Sequence, residues 1–196
     1  PVFSIGFAGL RAVVQYMLWF FILVRLFEED GDMWVFFGTM AALGTLMAFV
    51  GVVQYVLAVP IPASWVSQTE VGVRTRVFGL TTSPNIMGCF MVLCAPLTAA
   101  LAYLSKKTWQ RVLAWGATGM ICFSLLFTFS RGAWIGMAVA VVIFAALCDK
   151  RLIALMLCAV PVAFMIPTVA NRIAYLFTND FREASRIGGR AIRWEV

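Results

Sequence analysis

Three arginine-bearing segments hold the side chains of this sequence best suited to chemistry. They are Arg74-Thr75-Arg76-Val77-Phe78-Gly79, Ser130-Arg131-Gly132-Ala133-Trp134 and Gly189-Arg190-Ala191-Ile192-Arg193-Trp194. Arg131 is the most telling, because no other charged residue stands between Arg111 and Asp149. A guanidinium keeps its proton in a protein, so an arginine in an apolar stretch must meet water, a partner or an anion. Its planar fork matches phosphate and carboxylate oxygens two at a time, where lysine offers a mobile point charge. Such a set can hold an anion and stabilise developing negative charge. Imidazole chemistry is excluded from this stretch, which contains no histidine, the commonest general base and metal ligand. The cysteines Cys89, Cys94, Cys122, Cys148 and Cys158 form no Cys-x-x-Cys pair and read as small apolar packing residues. No phosphate-binding loop, zinc site or nucleic-acid module stands out, so neither metal nor cofactor is expected.

The elements that must position these arginines are membrane helices. Hydrophobic residues make up 63% of the 196 positions and charged residues 12%. Soluble domains carry about 45–50% apolar and about 25% charged residues. Mean hydropathy is +0.95, and the apolar residues come in runs near the ~20 needed to cross roughly 30 Å of hydrocarbon. The expected fold is all-α, a polytopic transmembrane helical bundle. Six spans are predicted, at 9–27, 34–58, 85–104, 112–130, 132–148 and 152–170. Arg11 and Gln15 weaken the first. One helical domain is expected over 1–170, and 171–196 reads as the start of an outer loop. The chain opens on Pro1-Val2-Phe3 and closes in a polar segment, which suggests a piece of a longer protein.

Alternation of six spans puts 28–33, 105–111 and 149–151 on one side, and 59–84, 130–132 and 171–196 on the other. Lys106, Lys107 and Lys150, the lysines of the chain, fall on the first side with Arg111 and Arg151. Short cationic loops mark the cytoplasmic face. The opposite side holds Arg74, Arg76, Arg131, Arg172, Arg182, Arg186, Arg190 and Arg193. An outer face whose cations are all arginine suits an anion site better than a topology signal.

Each segment also has a plain structural reading. In Ser83-Pro84-Asn85, Ser83 is placed to cap a helix and Pro84 to occupy its first turn. The N–H groups of such a terminus favour an anion nearby, yet a capped loop with a snorkelling arginine would look the same. Gly132 would permit a sharp turn between two spans, and Trp134 suits a membrane interface. Arg131 could snorkel to headgroups or face the bundle interior as a site residue. The tail around Arg182-Glu183-Ala184-Ser185-Arg186 could be a solvated loop, and the acidic run at 28–32 a plain turn.

Taken together, Arg76-Val-Phe-Gly with Pro84-Asn85, then Ser130-Arg131-Gly132-Ala133-Trp134-Ile135-Gly136, then Gly189-Arg190-x-x-x-Trp194 resemble the O-antigen ligase and polysaccharide polymerase superfamily of bacterial membrane proteins. The resemblance covers roughly 70–196; the first two spans match only as generic membrane helices. It implies an integral-membrane glycosyltransferase of the GT-C type in the bacterial plasma membrane. Such enzymes take a glycan from an undecaprenyl-pyrophosphate carrier on the outer face, in cell-envelope polysaccharide assembly. The acceptor is lipid A core, a growing polysaccharide or a protein hydroxyl, and no metal is required. The resemblance assigns the pyrophosphate to Arg131 and Arg190 first, with Arg76, Asn85, Arg74 and Arg186 as substrate-binding residues. Its acceptor-side histidine has no counterpart here, so the acceptor half of the site is expected beyond Val196. A different class of function, transport of a small anion such as bicarbonate, would use the same outer arginines. It would also call for ionisable or broken-helix features at mid-membrane, and from residue 85 onward only Pro96 and Pro161 qualify.

Overall fold

The computed structural model of the chain describes residues 2–62, 65, 75–147, 161, 165 and 167–174. Every regular element among them is a helix: α1 (Val2–Leu26), α2 (Asp30–Val56), α3 (Pro84–Leu104), α4 (Thr108–Phe127), α5 (Arg131–Leu147) and α6 (Pro167–Ala174). Three of these, over Gly31–Val56, Pro84–Leu104 and Thr108–Phe127, are long and apolar enough to cross a membrane. The apolar helix α5 has 17 residues, about 26 Å at ~1.5 Å per residue. Within α1 the apolar stretch is Met17–Leu26, and Arg11 and Gln15 are exposed. The expected span at 152–170 falls almost wholly outside the described residues.

Residues up to Met40 form one compact unit and those from Ala41 onward another, the division falling inside α2. In the first unit the acidic run does more than turn the chain. Asp32 accepts hydrogen bonds from the backbone N–H groups of Glu28 and Glu29, each 3.2 Å. An acid in the first turn satisfies N–H groups that the helix cannot and complements its positive end. Phe27 then closes edge-on against Phe36 at 5.3 Å.

The second unit packs through small residues. Ala41, Gly44, Ala48 and Gly51 recur at helical spacing along α2, and all four are buried. A Cβ on Gly44 would lie 2.6 Å from the Cβ of Cys94 on α3, and one on Gly51 would strike Ser124 Oγ and Val77. One on Gly88 would lie 2.7 Å from the Cβ of Ala133 on α5. With lipid outside as apolar as any side chain, helix association depends on such close approach. The core these contacts enclose includes Met87, Met91, Cys94, Ile121, Leu125 and Phe129, with Val169 of α6 joining it.

These contacts put the end of α2, the start of α3, the end of α4 and the start of α5 together, as alternation of spans requires. Tyr103, near the end of α3, meets Trp115 of α4 at 5.6 Å and Phe144 of α5 at 6.0 Å at the opposite end. Two boundaries differ from expectation. The α4–α5 turn is 128–130, not 130–132, and Arg131 and Gly132 open α5. The left-handed residue is Phe129, at φ 51°, not Gly132. The polar boundary expected at 170 falls inside α6, which runs on to Ala174.

Gly88→Ala is expected to destabilise the bundle by about 1–3 kcal/mol through overpacking. Gly119→Ala, where a Cβ meets nothing within 4 Å, should stay within about 0.5 kcal/mol of the parent. Unfolding of the two variants in detergent compares them directly; equal losses would refute this packing.

Candidate functional site

The clustered end of the second unit is built around Arg76. The side chain is only 6% exposed, and its fork reaches in several directions. Nε donates to Thr128 O at 3.0 Å and one terminal nitrogen donates to Trp65 O at 2.6 Å. The other donates at 3.4 Å to both Asn85 Oδ1 and Phe129 O. These four acceptors are uncharged carbonyl and carboxamide oxygens.

The backbone explains why an arginine is needed there. A helix leaves its last four carbonyls without partners, and buried ones must find donors within the protein. At the end of α4 each carbonyl is provided for. Thr128 N–H serves Ser124 O at 3.2 Å and Leu125 O at 3.1 Å, and Phe129 N–H serves Leu126 O at 3.3 Å. Val77 N–H donates to Phe127 O at 2.9 Å. Arg76 takes Thr128 O and Phe129 O, and Trp134 N–H takes Ser130 O at 3.0 Å. Two hydroxyl- and indole-based contacts reinforce Leu125 O, from Thr128 Oγ1 at 2.8 Å and Trp134 Nε1 at 3.4 Å.

That turn carries a cost at Phe129, whose positive φ is rare for a residue with a Cβ. Its ring is buried, 6.0 Å from Phe127 and 6.3 Å from Trp134. Packing and the Arg76 bond to its carbonyl hold it in place.

The segment bearing Arg76 is fixed from its other side by Gln54 of α2. Gln54 Nε2 donates to Gly79 O at 2.7 Å, and its Oε1 accepts from Gly79 N–H at 2.9 Å and Phe78 N–H at 3.3 Å. Gly79 sits at φ 57°, where only glycine is comfortable. Thr75 Oγ1 donates to Val59 O at 2.7 Å. From there the chain enters α3 as expected. Ser83 is the N-cap, its Oγ accepting from Ile86 N–H at 3.3 Å, and Pro84 occupies the first turn. Asn85, the second residue of α3, is exposed apart from its bond to Arg76.

Arg131 stands in the first position of α5 and is half-buried. A cation at that position faces the positive end of the helix dipole. Thus Arg76, Asn85 and the turn leading to Arg131 come together, beside the starts of two helices. Arg74, Arg186 and Arg190 lie outside the described residues. Gln54, Thr75 and Thr128 were not singled out by the sequence; the clue at Gln54 was one carboxamide near the end of a long apolar run.

Neither a family model, nor a curated protein, nor a solved structure matches the chain.

Two arginines with different surroundings should respond differently to truncation. Arg76→Ala strips donors from buried carbonyls and is expected to cost about 3 kcal/mol or more. Arg131→Ala is expected to cost less, since it leaves the Arg76 bonds to Thr128 O and Phe129 O in place. Thermal unfolding in detergent, with recovery of monodisperse protein as a second readout, tests the ordering; an Arg76→Ala variant as stable as the parent would overturn the capping role.

Proposed function

We propose that this chain forms the donor half of a membrane glycosyltransferase. The enzyme moves a glycan from an undecaprenyl-pyrophosphate carrier to an acceptor lipid, glycan or protein at the outer face of the bacterial plasma membrane. The observation that carries the reading is the meeting of Arg76, Asn85 and the turn ahead of Arg131 where α3 and α5 both begin. Two helix N-termini and two cations all favour negative charge at that end. The resemblance of Arg76-Val-Phe-Gly, Pro84-Asn85 and Ser130-Arg131-Gly132 to O-antigen ligases and polymerases supplies the kind of anion, a pyrophosphate.

In the proposed reaction an acceptor hydroxyl oxygen bonds to the anomeric carbon of the glycan. The bond from that carbon to the pyrophosphate oxygen breaks, and its electron pair leaves on the phosphate. The hydroxyl proton passes to a base or to water. Charge accumulates on the leaving pyrophosphate, so a fixed guanidinium stabilises the transition state without reorganising. We assign that role to Arg131, half-buried at the helix start, and to Arg190 beside it in the family pattern. Arg76 bonds backbone carbonyls and Asn85, and its proposed part is to hold the turn. Arg74 and Arg186 would contact the carrier pyrophosphate or the glycan.

The test is transfer from a synthetic undecaprenyl-pyrophosphate glycan by the purified full-length protein in lipid nanodiscs. Arg131→Ala is expected to fold and insert normally while transfer falls about 10²–10³-fold, the usual loss of one oxyanion-type donor; Arg190→Ala should behave alike. Parent-level transfer by both variants would sink the assignment. A parent protein inert with lipid, glycan and protein acceptors alike would remove the transferase and leave anion transport as the reading to pursue.

A further inference from the structure

Gln54 lies outside the stretch on which the family resemblance rests, yet its side chain makes three hydrogen bonds to the arginine segment. A carboxamide has one donor face and one acceptor face, and both are used here on the backbone of a single turn. Its Nε2 reaches Gly79 O at 2.7 Å, and its Oε1 takes Gly79 N–H at 2.9 Å and Phe78 N–H at 3.3 Å. The side chain thus substitutes for a strand partner along Phe78 and Gly79. A polar residue near the end of an apolar helix is expensive, and here its cost is offset by satisfying three backbone groups.

The turn it holds is the pivot between Arg76 and Asn85. On one side, Val77 N–H and the Arg76 fork fasten the chain to the end of α4. On the other, Thr81 Oγ1 bonds Phe78 O at 2.6 Å and Ser83 O at 2.9 Å, leading directly into the cap of α3. Gly79 cannot be replaced as a pivot by a residue that would bond for itself. A Cβ there would fall 2.9 Å from the sulfur of Met87, and its φ is left-handed. The turn is therefore held from outside, by α2. Close packing reaches the same level, since Gly51, one turn before Gln54, lies against Ser124 and Val77.

We infer that Gln54 is a positioning residue, locking the Phe78–Gly79 pivot to α2 so that Arg76, Asn85 and the start of α3 stay in register with Arg131. This inference takes its reaction from the transferase reading but its geometry from the hydrogen bonds alone. It extends the site to α2.

The test uses the full-length protein in nanodiscs with its native cysteines replaced by alanine or serine. A nitroxide is placed at Leu80→Cys, exposed and next to the pivot, and in a separate sample at Val139→Cys on the outer face of α5. Gln54→Met keeps the length of the side chain and removes every bond. Expected is a label at position 80 that becomes clearly more mobile, one at position 139 that does not change, and a kcat for transfer lowered by about ten-fold or more. Gln54→Glu, which keeps the acceptor and loses the donor, should fall between Gln54→Met and the parent in both readouts; it carries the test should Gln54→Met fail to fold. An unchanged label at position 80 would overturn the clamp. A loosened label with undiminished transfer would overturn the positioning role. An inert parent whose label still loosens in Gln54→Met would instead overturn the transferase reading, so the two failures are told apart.

Discussion

The constraint on which the second unit depends is that the carbonyls ending α4 must find donors where water cannot supply them. Seven successive carbonyls, from Ser124 to Ser130, are taken up by backbone N–H groups and by the Arg76 fork. Two of the donors, Val77 N–H and Arg76, come from a segment some fifty residues earlier in the chain. Satisfying the end of one helix therefore docks the loop that leads into another. Once 75–79 is fastened there, Ser83 and Pro84 set where α3 begins, and Gly88 fits against α5.

Arginine suits this task for reasons of geometry as much as charge. Its fork reaches Trp65, Thr128, Phe129 and Asn85 at once, which a three-donor ammonium on a flexible stem could not do with one fixed conformation. A guanidinium is also less strongly hydrated than an ammonium, so burying it costs less. Carbonyl dipoles stabilise it there. The turn it holds lies where Arg131 opens α5 and α3 presents its first N–H groups. The structural cap and the proposed anion site draw on one arrangement.

The sequence made some of this legible and hid the rest for identifiable reasons. The start of α3 was plain because Ser83 and Pro84 act locally, and the cap has the expected geometry. Helices over α2, α3 and α4 followed from the length of their apolar runs. The α4–α5 turn was misplaced because Gly132 is the residue there that permits a sharp turn; the turn falls earlier, and tertiary bonds and the packing of its ring hold Phe129 in a left-handed backbone. Bringing Arg76 and the approach to Arg131 together was anticipated as a shared side of the membrane. The use of Arg76 on carbonyls was not, since hydrogen bonds across fifty residues leave no spacing to read. Gln54 was passed over for the same reason. Arg74, Arg186 and Arg190 fall outside the described residues, and their roles rest on the resemblance alone.

A site for a pyrophosphate leaving group gains most when its cations are fixed before charge develops, because reorganising them during the reaction would cost the stabilisation they offer. In the proposed transferase, the small residues of α2 and α3 would bear on that requirement. Gly44 and Gly51 bring α2 close enough for Gln54 to reach the backbone at Gly79, and Gly88 brings α3 against the first turn of α5. A larger residue at either place would separate the helices and lengthen bonds that already lie at the limit, such as those from Arg76 to Asn85 and Phe129 at 3.4 Å. Helix spacing set by glycine thus fixes the position of the arginine segment. Residues without any polar group determine how rigidly the charged ones are held.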